Sequence, residues 1–215
     1  MFNITPAREV QISSQLAQLS ALFGAKRAVS QAALWPLYQL HDYPSLVREI
    51  RNSFGLDKLK VRIRYHEQLR TERTVAMVEQ PASLPPVAAF AMLRPEVTLH
   101  LAMRRLYNAS FANTVRALAH EMAHPLLLAH SHPLKESEFA VDLTAMLFGY
   151  HAIFSMAHSE GEVFGQYGLA DIPGLSSLKS ILMTELCEEE ELTNSKYLTS
   201  EEVRFAAEII RRCVL

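Results

Sequence analysis

The chain has 215 residues, 49% of them hydrophobic, with 21 basic against 23 acidic side chains and a formal net charge of −2. That length carries one domain with an ample core, and the apolar share excludes a disordered tail protein. Near-neutral charge excludes a general nucleic-acid binder, which needs a basic excess to neutralise phosphates.

Residues 7–23 carry Val10, Ile12, Leu16, Leu19 and Leu22 at roughly helical spacing, which predicts an amphipathic helix ending near Gly24. A second helix is expected over 27–40 with a kink at Pro36, and a third over 44–54 that stops at Gly55. The period then changes. Residues 60–65, KVRIRY, alternate charged and apolar, the pattern of a half-exposed strand. After the proline-marked loop 79–86, residues 86–92 are expected to form a second strand and 97–101 a third.

Helix dominates from there. Asn113 or Thr114 is expected to open a helix that runs to His124, and Ser137 to cap another from Glu138 to about Ser155. Residues 161–173 read as loop, 177–186 as helix and 188–191 as a solvated acidic run. Thr199 and Glu202 fit a capping box for a final helix to about Val214. These elements make one α+β domain, helix-rich, with a small mixed or antiparallel sheet. Residues 1–56 supply N-terminal helices, 57–158 the core, and 159–215 a C-terminal helical extension.

Two cysteines, Cys187 and Cys213, are too few for a disulfide scaffold and lack metal-pair spacing. The N-terminal stretch has no basic region followed by an apolar run, and the longest weakly charged stretch, 143–157, is short for the ~20 residues of a membrane span. A cytoplasmic protein without a membrane partner is the expectation.

Four of the nine histidines, His120, His124, His130 and His132, fall close together. His120-Glu121-Met122-Ala123-His124 is an HExxH on a segment with helical context. Residues four apart share a helix face, so both imidazoles can reach one Zn²⁺, while Glu121 sits one step round, where it can meet a water. Catalytic zinc takes a third protein ligand from another segment. Glu138 and Asp142 are again four apart on a predicted helix. One carboxylate can bind the metal while the other accepts the free ring N–H of a ligating histidine.

HEMAH followed by ExxxD resembles the zincin metallopeptidases, specifically their gluzincin branch, over about Lys60–Met156. The resemblance implies a zincin-like domain with an active-site helix. It implies His120, His124 and Glu138 as zinc ligands, Glu121 as the catalytic general base, and Asp142 as the acid that orients a ligand. It also implies Val97–Leu101 as an edge strand that pairs with extended substrate. Two departures stand out: the return from His124 to Glu138 is short, and Pro125 follows His124 directly, which predicts that the helix kinks or stops early. His130 is a rival third ligand at metzincin spacing. Leu127 stands where that family needs a glycine with positive φ, so Glu138 is preferred. His132 is read as a loop residue.

The expected function is therefore a zinc-dependent peptidase acting on a peptide or protein, with Glu121 moving a proton from water to the leaving amine. The alternative is a catalytically silent zincin-like domain that binds metal or a protein partner. Tyr107, Tyr150, His151 and His158 are candidates for the donor that stabilises the oxyanion, and no motif chooses among them.

Overall fold

A computed structural model describes residues 2–69, 74–158 and 197–214. The segments expected over 161–173, 177–186 and 188–191, with Cys187, lie outside the described residues. The protein is helix-rich with a three-stranded mixed sheet, an α+β fold.

Helix α1 (Pro6–Phe23) starts with a proline at its first turn, ends at Gly24, and buries Ile12, Leu16 and Leu19. Helix α2 (Gln31–Gln39) begins later than its pattern suggests, because residues before it bond elsewhere: Lys26 N–H donates to Leu147 O (2.8 Å) and Val29 N–H to Gly149 O (3.0 Å). Helix α3 (Tyr43–Ser53) is capped by Asp42, whose Oδ1 accepts from Ser45 N–H at 3.1 Å, and it buries Leu46, Val47 and Ile50.

Strands β1 (Lys60–His66), β2 (Ala76–Glu79) and β3 (Glu96–Ala102) form a sheet in the order β1-β3-β2. β1 runs parallel to β3, with Ile63 opposite Leu99, and β2 runs antiparallel to it, with Val78 opposite Leu99. Alternation places Val97, Leu99 and Leu101 in the core. Residues 86–92 are not a strand. Val87–Ala89 form a 3₁₀ turn that leads into the short helix α4 (Phe90–Leu93). A short apolar run does not discriminate between the two states, and here Pro86 ahead of the alanine-rich VAAFA favours the helical one.

Helix α5 (Met103–Asn108) leads to α6 (Phe111–Ala129), capped by Ser110, whose Oγ accepts from Asn113 N–H at 3.2 Å. Pro125 does not stop α6. Its missing N–H and ring cost about 3 kcal/mol. The next three residues, Leu126, Leu127 and Leu128, are 3%, 0% and 7% exposed. Burial of a leucine contributes about 1.5–3 kcal/mol each, which outweighs the proline. Helix α7 (Glu138–Ala145) passes through a π turn (Met146–Tyr150) and continues as helix over 151–158. That run, Glu138–His158, is long and apolar enough to cross a membrane, yet 83% of its apolar window is buried inside the molecule. The final helix, α8 (Ser200–Val214), has the capping box: Thr199 N–H donates to Glu202 Oε2 at 2.8 Å. Glu202 also accepts from Arg8, which ties α8 to α1. One hydrophobic cluster joins α1, α3, α6, α7, α8 and the sheet.

Candidate metal centre

Helix α6 sets His120 and His124 one turn apart on one face, with ring centroids 5.0 Å apart and planes at 82°. Both Nε2 atoms face Glu138 Oε2, His120 at 3.0 Å and His124 at 3.4 Å. Glu138 reaches them because it opens α7 directly after its cap, Ser137, whose Oγ accepts from Ala140 N–H. The connection between the helices turns sharply at Ser131, which adopts φ 49°, and His132 N–H donates back to Leu127 O. The reversal thus falls at residue 131, beyond the helix, and Leu127 stays helical and buried.

Asp142, one turn after Glu138, is 1% exposed and its Oδ1 accepts from His120 Nδ1 at 2.7 Å. That bond keeps a proton on Nδ1 and leaves Nε2 facing Glu138: protonated, it donates to Oε2, and once that proton leaves, its lone pair is aimed at the point a metal would occupy. On the far side of Asp142, Arg116 Nη2 stands 3.9 Å from Oδ2, and its guanidinium lies over the Phe154 ring. Burial by itself lowers the His120 pKa. Hydrogen bonds to Asp142 and Glu138 and the charge of Glu121 outweigh it and raise the pKa to about 10. The surrounding carboxylates thus favour positive charge at this point. A tetrahedral ion with bonds of ~2.0–2.1 Å keeps its ligands ~3.3–3.4 Å apart. The contacts of Glu138 with the two histidines are close to that spacing, so the residues fit a small divalent metal.

Glu121 Oε2 accepts from Val78 N–H of β2 at 2.7 Å. Burial pushes the Glu121 carboxyl pKa above its ordinary value, and the two histidines and Val78 pull it only part of the way back. Among the described residues, His124 Nδ1 is buried without a hydrogen-bond partner. His120, His124, Glu121, Glu138 and Asp142 all line one cavity of about 990 Å³.

The remaining sequence candidates lie elsewhere. His130 is exposed at the C-terminus of α6, with Nδ1 donating to Leu126 O and its ring edge-on to Phe23. His132 is buried, and its Nδ1 accepts from Leu134 N–H. Tyr150 is fully buried against Ser53 Oγ at 2.7 Å, and Tyr107 packs on His41. His151 is buried in the core, and His158 Nδ1 donates to Phe154 O. None of these lines the cavity. Tyr197 does, with its ring 5.8 Å from that of His120. No motif spacing ties Tyr197 to the HExxH; only the fold brings it there.

The strand expected to bind substrate is corrected as well. β3, which contains Val97–Leu101, is central and bonded on both sides. Among the described residues, β2 is the edge strand that lines the cavity. On the sheet, a second histidine pair appears: His66 Nε2 lies 2.8 Å from His100 Nδ1, and His100 Nε2 lies 3.2 Å from Glu79 Oε2.

No family model, curated protein or solved structure matches the chain. Its chemistry is carried by the geometry alone.

Proposed function

We propose that the chain is a zinc-dependent peptidase. The observation that carries this reading is the convergence of one nitrogen each from His120 and His124 and one oxygen of Glu138, all within 4.8 Å of one another, in the wall of a large cavity. Two imidazoles and a carboxylate suit zinc and leave a coordination position for a reactant. Zinc held there supplies Lewis acidity, which lowers the pKa of water towards ~7 and polarises a carbonyl oxygen.

The chain's own residues account for the rest. Glu121, with its pKa raised by burial, is the base that takes a proton from the attacking water and hands it to the leaving amine. Val78 N–H aims its carboxylate. Asp142 holds His120 in one tautomer and orientation. Tyr197, the phenol in the cavity wall, is the donor for the developing oxyanion.

Extended substrate lies along β2. Val75 O accepts from Ala102 N–H, so residue 75 faces β3 and the backbone groups of Ala76 and Val78 face away from it. Glu121 takes the Val78 N–H, leaving Ala76 N–H and C=O and Val78 C=O for strand addition.

The test combines zinc analysis of protein purified without chelator with mass-spectrometric readout of a peptide library. Near-unit zinc and cleaved peptides are expected; zinc near zero would refute the reading. Glu121→Gln should keep zinc and lose about 10²-fold or more of the cleavage rate. Unchanged cleavage would remove Glu121 from the role of base.

A further inference from the structure

Charge is distributed unevenly around the cavity. Glu121, Glu138 and Asp142 gather at the two histidines, and each is engaged there, with Val78 N–H, with both imidazoles and with His120 respectively. The wall running from α5 into α6 is different. It presents Arg105, Asn108, Ser110, Asn113 and Arg116, with no acidic side chain among them. Most of these donors are occupied. Asn108 Nδ2 donates to Arg104 O, Asn113 Nδ2 donates to Ser110 Oγ, and Arg116 leans towards Asp142 across the Phe154 ring.

Arg105 is the exception. Its side chain is exposed, it lines the cavity, and among the described residues it has no acidic or carbonyl partner. α5, MRRLYN, offers it no carboxylate at helical spacing. The third wall, formed by Thr74–Val78 and Gln80, carries no charge. A substrate lying along β2 therefore meets a metal centre where the ion offsets Glu121 and Glu138 and Arg116 faces the buried Asp142, and one unanswered cation, Arg105, away from it.

With the charge at the centre largely balanced, the unpaired guanidinium of Arg105 is the strongest attraction for an anionic group of the substrate, which settles at the α5 end. A planar guanidinium with five donors matches a carboxylate in two-point fashion. We infer that Arg105 forms a carboxylate subsite, and that the substrates are peptides with a free carboxylate near the scissile bond, supplied by an Asp or Glu side chain or by the C-terminus. This rests on the peptidase reading above.

The experiment uses the zinc-loaded full chain and a peptide library in matched forms. One arm replaces Asp and Glu by Asn and Gln, and the other amidates the C-terminus. Wild type should cleave carboxylate forms about three- to tenfold faster than neutral ones at low salt, in the range of an exposed charge-assisted pair. The preference should shrink as salt screens it. Loss of preference in the first arm identifies a side-chain carboxylate, and loss in the second the C-terminal one. Arg105→Gln should erase the preference and Arg105→Glu should reverse it towards Lys-containing peptides. Arg104→Gln, on a neighbour that does not line the cavity, should leave it intact. Equal cleavage of both forms by wild type, or a preference that survives Arg105→Gln, overturns the subsite while the peptidase reading stands. No cleavage of any peptide at full zinc occupancy overturns both.

Discussion

On α6 two imidazoles stand side by side; on the sheet two others meet nitrogen to nitrogen. Both pairs have ring centroids 5.0 Å apart and a carboxylate beside them. On the helix, four-residue spacing sends both side chains the same way, so their Nε2 atoms converge on Glu138, and Asp142 takes the outer N–H of His120. On the sheet, His66 and His100 come from β1 and β3 and aim nitrogens at each other. Glu79 is on the opposite side of the His100 ring. There, one nitrogen donates its proton to its neighbour's lone pair, and nothing is left pointing at a common centre. Residue type and proximity are the same in both places. Only the direction of the ring nitrogens differs, and it separates a candidate ion site from a hydrogen-bond chain.

The largest expected effect breaks or upholds that distinction directly. His120→Ala or His124→Ala should abolish zinc binding in elemental analysis, whereas His66→Ala and His100→Ala should leave the stoichiometry unchanged. Zinc lost from the sheet variants would overturn the comparison. Asp142→Asn comes next. Replacing the carboxylate that orients a ligating histidine costs about 10–100-fold in metal affinity, readable by competition with a chromophoric chelator, while Glu79→Gln should have no such effect.

The smallest effect concerns histidines whose burial outweighs any carboxylate nearby. Burial lowers the pKa of His151, and of His158 with help from the charge of Arg116, opposite in sign to the shift of His120. Below about pH 6.5 the unfolded chain then binds protons that the folded chain refuses. Their contribution to stability is complete above that pH and is lost as the pH falls towards the depressed folded values. Urea midpoints should drop between about pH 7.5 and pH 5.5, and His151→Gln should flatten that slope.

The sequence made the candidate metal centre's geometry easier to read than the sheet. HExxH and ExxxD are local patterns, and helical spacing fixes which side chains share a face, so the residues that converge could be named. The choice of Glu138 over His130 turned on what leucine tolerates in a turn. In the structure that reversal occurs at Ser131, with Leu127 inside the helix. β1, β3 and the Thr199–Glu202 box were also legible, because alternation and capping are local. β2 was not. AMVE is four residues long with two poor strand formers, and it is a strand only because β3 pairs with it. Neither could alternation show that β3 is central, since neighbours on both sides are a tertiary fact. Tyr197 and Arg105 were hidden for the same reason.

Gly149 carries a consequence for the first thirty residues. It adopts φ 97° in the π turn, and a Cβ there would sit 2.2 Å from Arg27 O. Through Lys26 and Val29 the N-terminal segment is stitched to the same helical run that begins with Glu138. A shortened protein beginning at α3 would therefore lose the brace behind two of the site's acidic groups. If the candidate site takes a metal, the opening helices belong to the smallest unit that holds it, and a substitution at residue 149 is expected to be felt one helix away, in the affinity for metal.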